Sequence, residues 1–117
     1  MKDINEKSLL NILKIAHDVS MRGKGISLDT AIKKSKYNNI RPFLTAEILE
    51  SFIAKNEYLI NEWVMYSEDK RTVGGFYIGK NEIGSCKNPE FKINYDSMNQ
   101  TVANYILKEL DYWINEN

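Results

Sequence analysis

Hydrophobic residues recur every three to four positions from 5 to 55, change to a two-residue period after Asn56, and return to helical spacing from 98 onward. Those are the periods of a helix and a strand, so the pattern restricts the chain to an α+β architecture. Leu9, Ile12, Leu13, Ala16 and Val19 mark a first helix over 5–22, stopped by Gly23 and Gly25. Ser27 caps a second over 28–37, with Asp29 in its first turn. Asn38 and Asn39 end it, and Pro42 is expected to push Arg41 out of helical geometry. Thr45 caps a third over 46–55, whose inward stripe is Ile48, Leu49, Phe52 and Ile53.

Residues 57–66 are apolar on both parities towards their end, as in a mid-sheet strand, and 67–70 read as a turn. A strand over 71–79 follows, with Gly74 and Gly75 suggesting a bulge, then a short strand over 83–86. Over 90–95, Phe91, Ile93 and Tyr95 alternate with Glu90, Lys92 and Asn94. Ser97 and Gln100 form a capping box that opens a last helix over 98–114. The expected fold is α+β: three N-terminal helices, an antiparallel meander of three or four strands, and a C-terminal helix packed on the sheet. With no repeat or low-complexity linker, the 117 residues form one domain, 1–117.

Several chemistries are excluded. No run of about 18 apolar residues exists, so no membrane span is expected. The charged start, Met1 to Glu6, is unlike a secretory signal. Cys86 is the single cysteine, which forbids an internal disulfide and suits the cytoplasm. One His and one Cys, 69 positions apart, cannot supply the usual zinc ligands, and Gly23-Lys24-Gly25 is too short for a phosphate-binding loop. Neither metal nor cofactor is expected. His17 reads as a boundary or surface histidine and Glu68/Asp69 as solvated charges, so no catalytic residue is assigned and no enzyme is expected.

The net charge of zero conceals two poles. Residues 1–41 hold nine Lys/Arg against four Asp/Glu, whereas 42–69 hold six acids against Lys55 alone. The basic pole, with Arg22, Lys24, Lys33, Lys34, Lys36 and Arg41 around Tyr37, suits phosphates. Three helices and a following hairpin would resemble a winged helix, but its third helix would carry Glu47 and Glu50 into the phosphate backbone. Nucleic acid is therefore disfavoured; a small nucleic-acid-binding or regulatory protein using the basic N-terminal region is the alternative reading. The acidic pole suits a basic protein surface, such as the phosphate-binding cleft of a nuclease. Its expected contact residues are Glu47, Glu50, Glu62, Tyr66, Glu68 and Asp69.

Residues 63–78 read as a β-hairpin with a charged tip at Glu68, Asp69, Lys70 and Arg71 and aromatic shoulders at Trp63, Tyr66, Phe76 and Tyr77. With the small size, the Lys/Asn/Ile-rich composition and the lack of catalytic residues, this hairpin resembles the small immunity proteins of bacterial polymorphic-toxin systems, contact-dependent growth inhibition among them. The resemblance implies a cytoplasmic, non-enzymatic protein that binds and blocks a cognate toxin domain, often a nuclease. It carries over neither a fold nor a binding residue.

Overall fold

The N-terminal half is helical because its segments carry apolar faces, and side chains cap the free amides of the helices that open at Asn5, Ser27 and Thr45. The computed structural model describes residues 5–20, 23–69 and 74–116. Helix α1 (Glu6–Leu13) starts at Asn5, whose side-chain oxygen accepts from the Ser8 amide at 2.8 Å. The single helix expected over 5–22 is broken at Lys14, and α2 (Ile15–Val19) continues beyond it. The Trp63 indole N–H donates to the Leu13 carbonyl at 2.9 Å, the oxygen the His17 amide would use in an unbroken helix. Residues 21–22, including Arg22 of the basic pole, lie outside the described residues.

Helix α3 (Leu28–Ser35) is capped by Ser27, whose hydroxyl oxygen accepts from the Thr30 amide at 3.1 Å. It stops at Lys36, which takes the left-handed conformation with φ 60°. A short α4 (Tyr37–Ile40) and a 3₁₀ turn, Arg41–Phe43, follow. Arg41 stays helical (φ −49°, ψ −42°), against the expectation drawn from Pro42. Its guanidinium explains this: Nε and Nη2 lie 3.0–3.1 Å from the Asp111 carboxylate and Nη1 donates to the Leu44 carbonyl at 3.1 Å. Charge-assisted bonds of this kind outweigh the steric bias of the following proline. Helix α5 (Ala46–Ala54) begins where Thr45 predicts, but Ile48 is turned to solvent while Leu49, Phe52 and Ile53 are buried.

The principal correction falls on 57–66. This stretch is no strand; it belongs to helix α6 (Tyr58–Asp69). Leu59, Trp63, Tyr66 and Ser67 point inward, while Tyr58, Asn61, Met65, Glu68 and Asp69 are exposed. That is helical spacing, and burial of one complete face overrode the strand propensity of Trp, Val and Tyr. The expected hairpin over 63–78 is therefore not formed: its first arm is helical, and among the described residues of its second arm Phe76 to Ile78 are strand, in β1. Residues 70–73, with the Lys70/Arg71 half of the proposed tip, lie outside the described residues.

Three short strands complete the fold: β1 (Phe76–Gly79), β2 (Glu82–Ser85) and β3 (Lys92–Asn94). They pair antiparallel in the order β1-β2-β3, with Ile78 opposite Ile83 and Ile83 opposite Ile93. Gly74 and Gly75, at φ 139° and 74°, make the turn into β1 and not a bulge within it. Helix α7 (Met98–Glu116) opens on the Ser97 hydroxyl, which accepts from the Gln100 amide at 3.1 Å. The Gln100 side chain reaches back to the Asp96 amide at 2.9 Å, one residue before the box expects. Helix α7 packs on β1 and β2 and, most extensively, on α5. No helix among the described residues is long and apolar enough to cross a membrane.

The centre of the molecule is aromatic. Trp63, Tyr66 and Tyr105 meet edge to face, with ring centroids 5.5, 6.2 and 6.5 Å apart. Beneath them lies Glu109, fully enclosed on α7. Its carboxylate accepts from the Tyr66 hydroxyl at 2.8 Å, the Phe76 amide at 2.9 Å and the Trp113 indole at 2.6 Å. One buried acid thus joins α6, β1 and α7, and its hydrogen bonds offset the cost of taking it out of water.

Candidate functional site: an acidic helix face and a lysine-lined groove

The acidic pole is divided between elements. Glu47 and Glu50 are on α5, and Glu47 borders a groove that α5 forms with Glu6 and Leu9 of α1. Glu62, Glu68 and Asp69 are on α6, and Glu62 borders a cleft that includes Asn11 and Lys14 of α1. At 100° per residue, Glu6/Leu9 and Asn11/Lys14 lie on opposite sides of α1. The structure therefore keeps Glu62, Glu68 and Asp69 on one helix face and places Glu47 elsewhere.

Tyr66 leaves the expected contact surface. It is 7% exposed and bonded to Glu109. Burial first, then the neighbouring Glu109 charge and hydrogen bond, raise its pKa far above the ordinary tyrosine value. Its hydroxyl is a fixed core donor. The exposed aromatic on this helix is Tyr58, about two turns N-terminal, at 64% exposure.

On α6, Tyr58, Asn61, Glu62, Met65, Glu68 and Asp69 fall within an arc of about 120° at 3.6 residues per turn. Met65 is 40% exposed at its middle. No cation among the described residues pairs with Glu47, Glu50, Glu68 or Asp69. This face therefore combines two carboxylates without an ion pair among the described residues, Glu68 and Asp69, with two large apolar side chains open to water.

Between α1, α2, α3 and the start of α6 lies a cleft of about 610 Å³. His17 and Glu62 face each other across it, with imidazole Nδ1 at 3.3 Å from the carboxylate. Gly23 closes over His17; a Cβ there would overlap the His17 carbonyl oxygen, so only glycine fits. An Nδ1–H directed at a carboxylate leaves Nε2 as an acceptor, which is how a general base is oriented. Among the described residues no nucleophile lines the cleft free to meet it: the Ser35 hydroxyl at the cleft wall donates to the Ile32 carbonyl at 2.7 Å, and Cys86 follows β2 on the sheet. Among the described residues no three His, Cys, Asp or Glu side chains are grouped to hold a metal ion.

Lys14, Lys24 and Lys34 line the same cleft. A second depression of about 460 Å³, lined by Lys7, Lys36, Asn39 and Phe43, shares Asn11, Lys34 and Ser35 with it. The two are one groove along α1. Sequence reading found Lys24, Lys34 and Lys36 but missed Lys7 and Lys14, which the packing of α1 on α3 brings to them. Their spacing on α1, seven residues apart on one polar face, was the available signal.

Compared with models of protein families, with curated proteins and with solved structures, the chain matches none of them.

Proposed function

We propose that the chain is a non-enzymatic protein-binding module, an immunity protein that occludes a cation-rich cognate toxin domain of the nuclease type. The observation that supports this reading is the outward face of α6. Tyr58 and Met65 stand exposed beside Glu62, Glu68 and Asp69. Aromatic and Met side chains supply affinity when a partner covers them, and surrounding charge sets encounter rate and partner choice. The size, the composition and the part of the acidic pole that lies on α6 agree with it. The hairpin, which entered the original resemblance, no longer contributes.

The test pairs the chain with the C-terminal domain of a secreted protein encoded beside its gene. Protection of cells expressing that domain, and a 1:1 end point on titration, are the expected results. Glu68→Lys with Asp69→Lys should slow association at least 10-fold and flatten its salt dependence. Met65→Asp should act on dissociation instead. Absence of binding and protection by the unaltered chain would overturn the function; full protection by both variants would remove α6 as the contact.

A further inference from the structure

The groove along α1 carries a second inference; it shares Tyr58 and Glu62 with the α6 face, while its lysines and Phe43 lie outside that face. Five lysines line it: Lys7, Lys14, Lys24, Lys34 and Lys36. All five are exposed, and none forms an ion pair with a described residue. Lys33, pointing away from the groove, is by contrast tied to Asp29 at 3.1 Å. The cations that α3 spends on its own acid are thus outside the groove, and those inside remain available. Two carboxylates, Asp18 and Glu62, border the half that Tyr58, Lys14, Lys24 and Lys34 also line, Glu62 being held against His17, and no described acid borders the other half.

Two of the four large hydrophobic side chains exposed among the described residues flank this groove. Tyr58 borders one half, and Phe43, 45% exposed, borders the other. From Asn5 to His17, along α1 and across the break at Lys14 into α2, the wall runs at most about 18 Å at 1.5 Å per residue. That is room for a few nucleotides, at the short end of single-strand sites. Asn11 and Asn39 offer amide donors and acceptors between the lysines.

We propose that this groove is a binding track for a short single-stranded nucleic acid, with Lys7, Lys14, Lys34 and Lys36 on its phosphates and Tyr58 and Phe43 stacking on bases at the two ends. A concave, cation-lined wall with aromatic platforms is how single strands are held. A duplex instead requires a convex helix or ribbon that enters its groove, and the lysines here line a hollow. The objection raised by acids on the third helix falls away, because α5 packs against α7 and its Glu47 borders a different groove. Asp18 and Glu62 repel phosphate at the Tyr58 end, so that end receives a base.

The test is fluorescence anisotropy of the full chain with labelled eight-nucleotide single strands of DNA and RNA, the matching duplexes, and a Glu-rich peptide of equal charge. Binding in the micromolar range is expected, tighter for single strand than for duplex or peptide. Its log–log salt slope should be about −2 to −3, for about three or four phosphates neutralised. Lys14→Glu with Lys34→Glu should weaken binding at least 10-fold, and Phe43→Ala about 5-fold or more. Each variant is first checked for an unchanged circular dichroism spectrum. Lys14, Lys34 and Phe43 all lie off the α6 face, so their effect is separable from loss of a protein partner. No binding at 100-fold the micromolar range, equal binding of the peptide, or indifference to Phe43→Ala would each overturn the track.

Discussion

The indole of Trp63 is hydrogen-bonded to the carbonyl of Leu13, fifty positions earlier, and this bond bends the first helix beside His17. Trp63 is fully buried, so α6 acts as a wedge that sets where α2 points. The same bend turns His17 into the cleft opposite Glu62.

Replacing Trp63 by Phe keeps an aromatic ring but returns the Leu13 carbonyl to the helix. We expect a loss of about 1–3 kcal/mol in urea unfolding, from the lost bond and the void. The His17 amide should become more protected from hydrogen exchange relative to its neighbours, as the bend relaxes. Unchanged protection at His17 would mean that something else bends the helix.

Glu109 satisfies three donors at once, so its removal is expected to be far more costly than its neutralisation. Glu109→Ala leaves the Tyr66 hydroxyl, the Phe76 amide and the Trp113 indole without their acceptor and should cost about 3–5 kcal/mol. Glu109→Gln retains one carbonyl oxygen and should cost about half as much. Equal urea midpoints for the two variants would contradict the three-donor role.

Alkaline pH provides a third check. Burial raises the pKa of Tyr37, Tyr66 and Tyr105 above the ordinary 10.0; the Asp111 charge adds to this at Tyr37, and that of Glu109 at the other two. Above about pH 10 the unfolded chain releases these protons and the folded one retains them, so the unfolded state binds fewer. Stability is complete below that point and falls as pH rises past it, by up to about 1.4 kcal/mol per pH unit for each tyrosine. Tyr37→Phe should make the decline shallower between pH 10 and 12, followed by thermal melts in that range. An identical slope would show that Tyr37 ionises freely in the native state.

Local chemistry was the legible part of this fold. Ser27, Thr45 and Ser97 announce their helices because a cap acts within three residues. The alternation of Phe91, Ile93 and Tyr95 announces β3 because one strand face is covered and the other is not. Helix α6 was misread because Trp63, Val64 and Tyr66 favour strands locally, and Val64 beside Trp63 masks the helical stripe. Arg41 was misread for a different reason: its partner Asp111 is 70 positions away. The candidate sites follow the same division. Residue types for both were visible, but which acids share a face, and that Lys7 and Lys14 join Lys34, depend on how α1 packs on α3 and α6.

Helix α7 is the last described element in the chain, yet it is the principal partner of α5 and supplies Glu109 and Asp111 to elements made long before it. During translation, the helices before it would leave the ribosome with apolar faces uncovered until α7 has emerged. A stop codon anywhere ahead of residue 98 would then yield no smaller working domain.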